Sequence, residues 1–207
     1  MTDILFDLDN TLYSSRFGLE DNVTVRIIEF TAKLLNVSHE EAAAARLARI
    51  KKYGTTMEWL RTEKGFTDGD AYYRYIHPEN EAAALKRDPE LKAFLQSLDC
   101  RLSVLSNSPR EHVDRILSHL GLLGVFSEIF DLKRLNYISK PRREAFDFTL
   151  AALGAKAEET LFIDDIPRNV EAFIKLGGRG ILIDEFNSHP DYKNDKIKSL
   201  RELRRFL

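Results

Sequence analysis

The sequence holds a single cysteine, Cys100, among 207 residues. That excludes an intrachain disulfide and any metal site built from several thiolates. With 10 glycines and 6 prolines the chain is neither collagen-like nor low in complexity, and 43% hydrophobic content excludes disorder. Neither sign of charge dominates, because 31 Lys plus Arg stand against 33 Asp plus Glu for a formal charge of −2. A nucleic acid polymer held on a broad basic face is therefore not expected, whereas a small anion held by a few local charges remains compatible. Long apolar runs are absent too. The opening MTDILFDLDN is short and interrupted by acids, unlike a secretory leader. No later stretch approaches the roughly 20 apolar residues of a membrane helix. These absences lead to the expectation of a soluble, cytoplasmic protein with no membrane partner.

What is present is an alternation of short apolar runs with helix signals. The runs fall at 4–6, 102–105, 129–130, 161–163 and 181–183, and continuous runs of this size suit parallel strands buried on both faces. Asp88-Pro89-Glu90 and Ser108-Pro109-Arg110-Glu111 each read as a cap, a proline in the first turn and an early acid. A helix over 145–153 is closed by Gly154, and another over about 168–176 by Gly177. A final helix is expected over 195–207, with Ile197, Leu200 and Leu203 on one side. The fold class is α/β: a Rossmann-like parallel sheet flanked by helices, joined by right-handed crossovers.

Residues 14–85 break this rhythm, since no strand-like run occurs there. Val23, Ile27, Phe30, Leu34 and Val37 repeat at alternating four and three, which predicts an amphipathic helix. Residues 39–52 read as its partner, and further helical pieces are expected over 57–64 and 70–75. The catalytic core is thus expected to comprise 1–13 and 86–207, with 14–85 an inserted all-helical cap. Such a block acts as a lid or covers one sheet face, and periodicity does not separate the two.

The chemistry gathers where strands end. The first strand runs into Asp7-Leu8-Asp9, and side chains two apart on an extended chain point the same way. Paired carboxyls can divide labour, one attacking while the other carries protons, and crowding raises the pKa of one of them. A divalent cation would relieve their repulsion. A calcium loop does not fit, because the sixth position from Asp7 is Leu12 and the twelfth is Gly18. Ser106-Asn107 follows the second run and Asp164-Asp165 the fourth. Ligands of open α/β sheets bind outside the carboxyl ends of strands, so Asp7, Ser106 and Asp164 should converge. Lys140, just before Pro141 and a helix, can add an ammonium. Each of these also has a plain reading as a cap, a turn acid or a solvated cation. Their joint order favours a site.

FDLDNTLY at 6–13, LSNS at 105–108, Lys140-Pro141 and FIDDIPRN at 162–169 together resemble the haloacid-dehalogenase-like hydrolase superfamily. The resemblance implies a helical cap inserted after the first strand and Mg2+-dependent phosphoryl transfer through an aspartyl-phosphate. It makes Asp7 the nucleophile and Asp9 the general acid and base. Ser106, Asn107 and Lys140 match phosphate-holding positions. Asp7, the Asp9 backbone carbonyl and Asp164 match metal positions, with Asp165 close by or acting through water. The second acid, Asp9, points to a phosphatase or mutase rather than a dehalogenase. The chain departs from many relatives at Asn169, where a further acid is common, and at Arg142-Arg143.

Asn10-Thr11-Leu12-Tyr13 and Tyr53-Gly54-Thr55-Thr56 are similar to the pyrimidine 5′-nucleotidase branch. On that reading Tyr53 stacks on a base, Thr55 or Thr56 bonds to it, and the partner is a small phosphorylated metabolite, a nucleoside monophosphate. Alternatively Tyr53-Gly54 ends one helix and Thr55 caps the next. Trp59 and Tyr72-Tyr73 are expected in the cap's own core. The competing functions are a sugar-phosphate or broad phosphatase or mutase, and a non-enzymatic phosphoaspartyl regulatory module. Against the last stand the acid pair on the first strand and the insertion. GxxxxGK[ST], GxSxG and HExxH motifs do not occur, and His112 and His119, seven apart on one helix, do not suggest zinc.

Overall fold

The computed structural model describes residues 3–207, and these divide into two compact units: one running to Ser15 and resuming over Leu85–Leu207, the other Arg16–Ala84. In the first, β1 (Asp3–Phe6), β2 (Arg101–Leu105), β3 (Glu128–Phe130), β4 (Thr160–Asp164), β5 (Arg179–Ile183) and β6 (Lys196–Ile197) form one sheet in the order 3-2-1-4-5-6. Every pairing is parallel. All residues of β1 and β4 are buried, as continuous apolar runs require when helices cover both faces.

Numbered in chain order through the whole protein, the helices of this unit are α5 (Pro89–Gln96), α6 (Arg110–Leu120), α7 (Arg143–Leu153) and α8 (Pro167–Lys175). Phe146 of α7, Phe162 of β4 and Phe173 of α8 meet with ring centroids 5.3–5.4 Å apart, joining two helices to the sheet. Burying each such ring contributes on the order of 1.5–3 kcal/mol. Next to them β5 carries Gly180, where a Cβ would lie 2.7 Å from Val170 Cγ1. A side chain there would push α8 off the sheet.

The second unit is helical: α1 (Leu19–Leu35), α2 (His39–Tyr53), α3 (Thr56–Lys64), α4 (Gly69–Ile76) and a short 3-10 turn at Glu81–Ala84. α1 packs on α2 and α4, and α2 on α3. Phe30 meets Phe66, Tyr72 and Tyr75 edge-on. Trp59, Tyr72 and Tyr73 are buried. The expected α1 stripe is buried at Val23, whereas Leu34 and Val37 are exposed. Val37 lies beyond the helix, which ends at Asn36 in the left-handed conformation.

The C-terminal segment differs from expectation. No helix starts at 195; Lys196–Ile197 adds the edge strand β6, and a 3-10 helix runs Leu200–Arg205. Ser199 is the reason. It forms a capping box with Glu202, so helical structure begins only after it. The carbonyls before Ser199 accept from β5 and from the residue that follows this strand: Leu182 N–H donates to Asp195 O at 3.0 Å and Asp184 N–H to Ile197 O at 2.8 Å. Two smaller shifts occur at helix starts: Pro109, not Ser108, is the N-cap of α6, and α8 begins at Pro167.

Candidate active site

The sheet register brings the expected residues together. Phe6 is level with both Val104 and Ile163, so the residues that follow, Asp7, Leu105-Ser106 and Asp164, leave the sheet at one height. Asp7 N–H donates to Ile163 O at 2.8 Å and Ser106 N–H to Phe130 O at 2.9 Å, extending the ladder by one rung on each side. The order 3-2-1-4 reverses direction between β1 and β4, the place where α/β sheets open a crevice.

Lys140 is 1% exposed. Its Nζ donates to Asp7 Oδ1 at 2.6 Å and to Asp164 Oδ2 at 2.7 Å. Asn107 fixes its backbone: Oδ1 accepts from Lys140 N–H at 2.8 Å, and Nδ2 donates to Lys140 O at 3.0 Å. The Asn107 amide thus holds the lysine. Ser106 is buried, its Oγ accepting from Ser108 N–H at 3.1 Å. Asp164 takes Ile166 N–H at 2.8 Å and the Asn169 amide on both oxygens at 3.0 Å. Asp165 receives Asn10 Nδ2 at 3.3 Å, and Thr11 Oγ1 donates to Asp7 Oδ2 at 3.4 Å.

The electrostatics follow from crowding. Burial pushes the Asp7 carboxyl well above the ordinary carboxylate range; Lys140 opposes that push, and Asp164, Asp165 and Asp9 add to it. Burial, reinforced by Asp164, drives Asp165 up to about 7. Burial alone would lower Lys140, but Asp164 and Asp7 outweigh it and keep the ammonium charged. Asp7, Asp164 and Asp165 therefore share one lysine, and a further cation would balance them. Carboxylate oxygens of Asp7, Asp164 and Asp165 lie within 4.8 Å of one another. This all-oxygen donor set suits a hard divalent ion. Asn169 adds a buried Oδ1 with no hydrogen-bond partner, a further oxygen beside the set.

Asp9 is held separately. Its Oδ1 takes the Tyr13 hydroxyl at 2.7 Å and His112 Nε2 at 2.8 Å, and its Oδ2 takes the Ser108 hydroxyl at 2.9 Å. Sequence reasoning missed these three partners. His112 is 103 residues from Asp9, so no local spacing connects them; the available signal was a histidine in the first turn after the LSNS loop.

The cap residues singled out by sequence have partners inside their own unit. Tyr53 Oη donates to Glu63 Oε1 at 2.9 Å. Thr55 caps α3, accepting from Glu58 N–H at 3.1 Å, and the buried Thr56 Oγ1 accepts from Arg46 Nε at 3.1 Å. Arg142 is the N-cap residue of α7, and Arg143 pairs with Asp147 at 3.0 Å.

A parallel doubly wound sheet with aspartates and a lysine at its carboxyl edge defines an α/β enzyme with a carboxylate-centred site. The model of the haloacid dehalogenase-like hydrolases matches residues 4–177, and the chain belongs to that family. It is 27% identical over 219 residues to the glyceraldehyde 3-phosphate phosphatase of Methanocaldococcus jannaschii, covering 97% of this chain and 94% of that one. It is 24% identical to a phosphoglycolate phosphatase of Haemophilus influenzae, covering 94% of each. Among solved structures it is similar to the HAD phosphatase of Thermococcus onnurineus, with TM-score 0.69, 20% identity and coverage of 100% and 97%. The L-2-haloacid dehalogenase of Xanthobacter autotrophicus shares the fold at TM-score 0.62 and 13% identity, covering 99% of both. Among the described residues no helix is long and apolar enough to cross a membrane.

Proposed function

We propose that the protein is a phosphoric monoester hydrolase in which Asp7 carries the phosphoryl group and Asp9 carries protons. The observation behind this reading is the buried Lys140 bridging Asp7 and Asp164, which sets a cation beside a carboxylate at the crevice of the sheet. Phosphate monoesters are among the slowest compounds to hydrolyse, and attack on their dianion requires its charge to be screened. Lys140 and the Ser106 hydroxyl supply part of that screening, and Asn107 keeps the lysine in place. Asp7, the Asp9 backbone carbonyl and Asp164, with Asp165 adjacent, would hold Mg2+, which contributes two further positive charges when bound.

In the first step a carboxylate oxygen of Asp7 bonds to phosphorus as the bond to the departing alcohol oxygen breaks. The proton on Asp9 passes to that oxygen. In the second, water attacks the same phosphorus, its proton returns to Asp9, and Asp7 leaves as a carboxylate with inorganic phosphate as product. The substrate is a small phosphorylated metabolite of the sugar-phosphate class, in keeping with the names of two phosphatases to which the chain is similar along nearly its whole length. The motifs at 10–13 and 53–56 support a second reading, a pyrimidine nucleoside monophosphate. Against that reading, Tyr53, Thr55 and Thr56 already have partners within the cap.

Phosphate release from glyceraldehyde 3-phosphate, phosphoglycolate, pyrimidine and purine nucleoside monophosphates tests the choice of substrate. Sugar-type phosphates are expected to exceed the nucleotides in kcat/KM, and a pyrimidine preference would reverse the choice. Loss of turnover in Asp7→Asn and in chelator is expected; stable stoichiometric labelling of Asp7 without turnover would instead indicate a phosphoaspartyl regulatory module.

A further inference from the structure

We infer that His112 and Tyr13 are positioning residues that fix the Asp9 carboxylate for proton transfer. The inference rests on the reading of Asp9 as acid and base. Asp9 lies past the end of β1 in a turn whose next residue, Asn10, has φ +56°. Its side chain is 14% exposed, so the carboxylate has open space on part of its surface and two torsions by which to swing. Three elements restrain it. Tyr13 comes back from the same turn, closed by Leu12 N–H on Leu8 O at 3.0 Å. His112 comes from the first turn of α6 and is fully buried. Ser108 comes from the loop between β2 and α6.

The bonds are unequally distributed. Tyr13 and His112 both converge on Oδ1, at 2.7 and 2.8 Å, and Ser108 meets Oδ2. Two partners on one oxygen, from rigid groups anchored in different elements, define the plane of the carboxyl group. The second oxygen then has a set direction. A general acid is effective only within hydrogen-bond reach of the oxygen it protonates, and orientation of this kind is a large part of catalysis. A buried histidine also needs a polar partner for purely structural reasons. The two roles differ in what their loss does: a structural defect lowers turnover of every ester alike, while a misdirected acid hurts only esters whose leaving group needs a proton.

The test is the dependence of kcat/KM on leaving-group acidity over p-nitrophenyl, phenyl and p-methylphenyl phosphate, with magnesium present. p-Nitrophenol departs as its anion, and the two less acidic phenols benefit from protonation. In His112→Leu the phenyl and p-methylphenyl esters are expected to lose at least ~10-fold more kcat/KM than the p-nitrophenyl ester. His112→Gln, which places an amide N–H near the position of Nε2, should recover most of the difference. Tyr13→Phe removes one oxygen and leaves a buried ring, so it carries the same test if His112→Leu does not fold. Equal losses on all three esters, or none, would overturn the inference. Asp9→Asn separates the two levels: if it shows no leaving-group selectivity, the acid-base reading of Asp9 fails and the inference with it. If it is selective while the His112 and Tyr13 variants are not, the inference alone fails.

Discussion

The Lys140 ammonium sits 2.6 Å from Asp7 Oδ1 with almost no exposure to solvent. An ammonium this buried is retained only where carboxylates hold it, and Asp164 is the second. Replacing Lys140 by Met removes the charge and keeps the stem, leaving two buried acids without their partner. The variant is expected to lose about 10²–10³-fold in kcat, the scale of deleting one charge-stabilising donor. Its melting temperature should also fall, since breaking a buried pair costs about 3–5 kcal/mol before the acids take up protons. Steady-state kinetics and a thermal melt on the same sample check both.

Magnesium is expected to stabilise the fold through the carboxylates of Asp7, Asp164 and Asp165. Ligand binding to the native state alone raises stability by about 2.7 kcal/mol at a hundredfold excess over Kd, or roughly 5–11 °C in a chain of this size. Asp164→Asn should abolish that shift, because it removes a charged oxygen at the centre of the set. Thermal melts across a magnesium series, without substrate, measure it. A full shift in Asp164→Asn would contradict the assignment of Asp164 to the metal.

Five strands of the sheet are legible as apolar runs, two of them, β1 and β4, buried along their whole length, and the convergence of Asp7, Ser106 and Asp164 follows from strand ends alone. β6 was not legible. It is two residues long, charged at Lys196, and ordered by carbonyls offered to β5, while Ile197, Leu200 and Leu203 mimic a helical stripe. The holders of Asp9 were hidden for a different reason. A contact between residues 9 and 112 depends on where α6 enters the sheet edge, and spacing carries no record of that. Ser108 shows the same limit: its sequence context predicts a helix cap, but its hydroxyl bonds to Asp9.

Gly180 is a position of β5 against which α8 lies in close contact. A methyl group there would lie 2.7 Å from Val170 Cγ1 and 3.1 Å from the Val170 carbonyl oxygen, which is backbone and yields only if the helix moves. Gly180→Ala is expected to destabilise by about 1–3 kcal/mol, the usual cost of overpacking. Because Val170 follows Asn169, whose amide holds both oxygens of Asp164, the shift should also loosen that carboxylate. The expected signature is a lower melting temperature accompanied by weaker magnesium stabilisation. A melting loss with unchanged magnesium response would show that α8 gives way elsewhere.

Glu63 provides a pH-dependent reporter inside the cap. Arg49 Nε at 2.8 Å, Tyr53 Oη at 2.9 Å and Trp59 Nε1 at 3.0 Å all donate to its carboxylate. The Arg49 bond first, then Tyr53, hold its pKa down at about 2. A carboxyl depressed in the folded state stabilises it above the unfolded value of about 4.3, and that contribution fades as pH falls from there through about 2. Trp59 is the sole tryptophan of the chain, so its fluorescence reads the cap directly. Acid titration should give an emission change centred near pH 2, where the carboxylate that accepts the indole N–H takes up its proton in the folded cap. Glu63→Gln, already neutral, should show no such step and should have a less stable cap than the native chain at pH 7, with the difference vanishing near pH 2. An unchanged step in Glu63→Gln would assign the transition to another group.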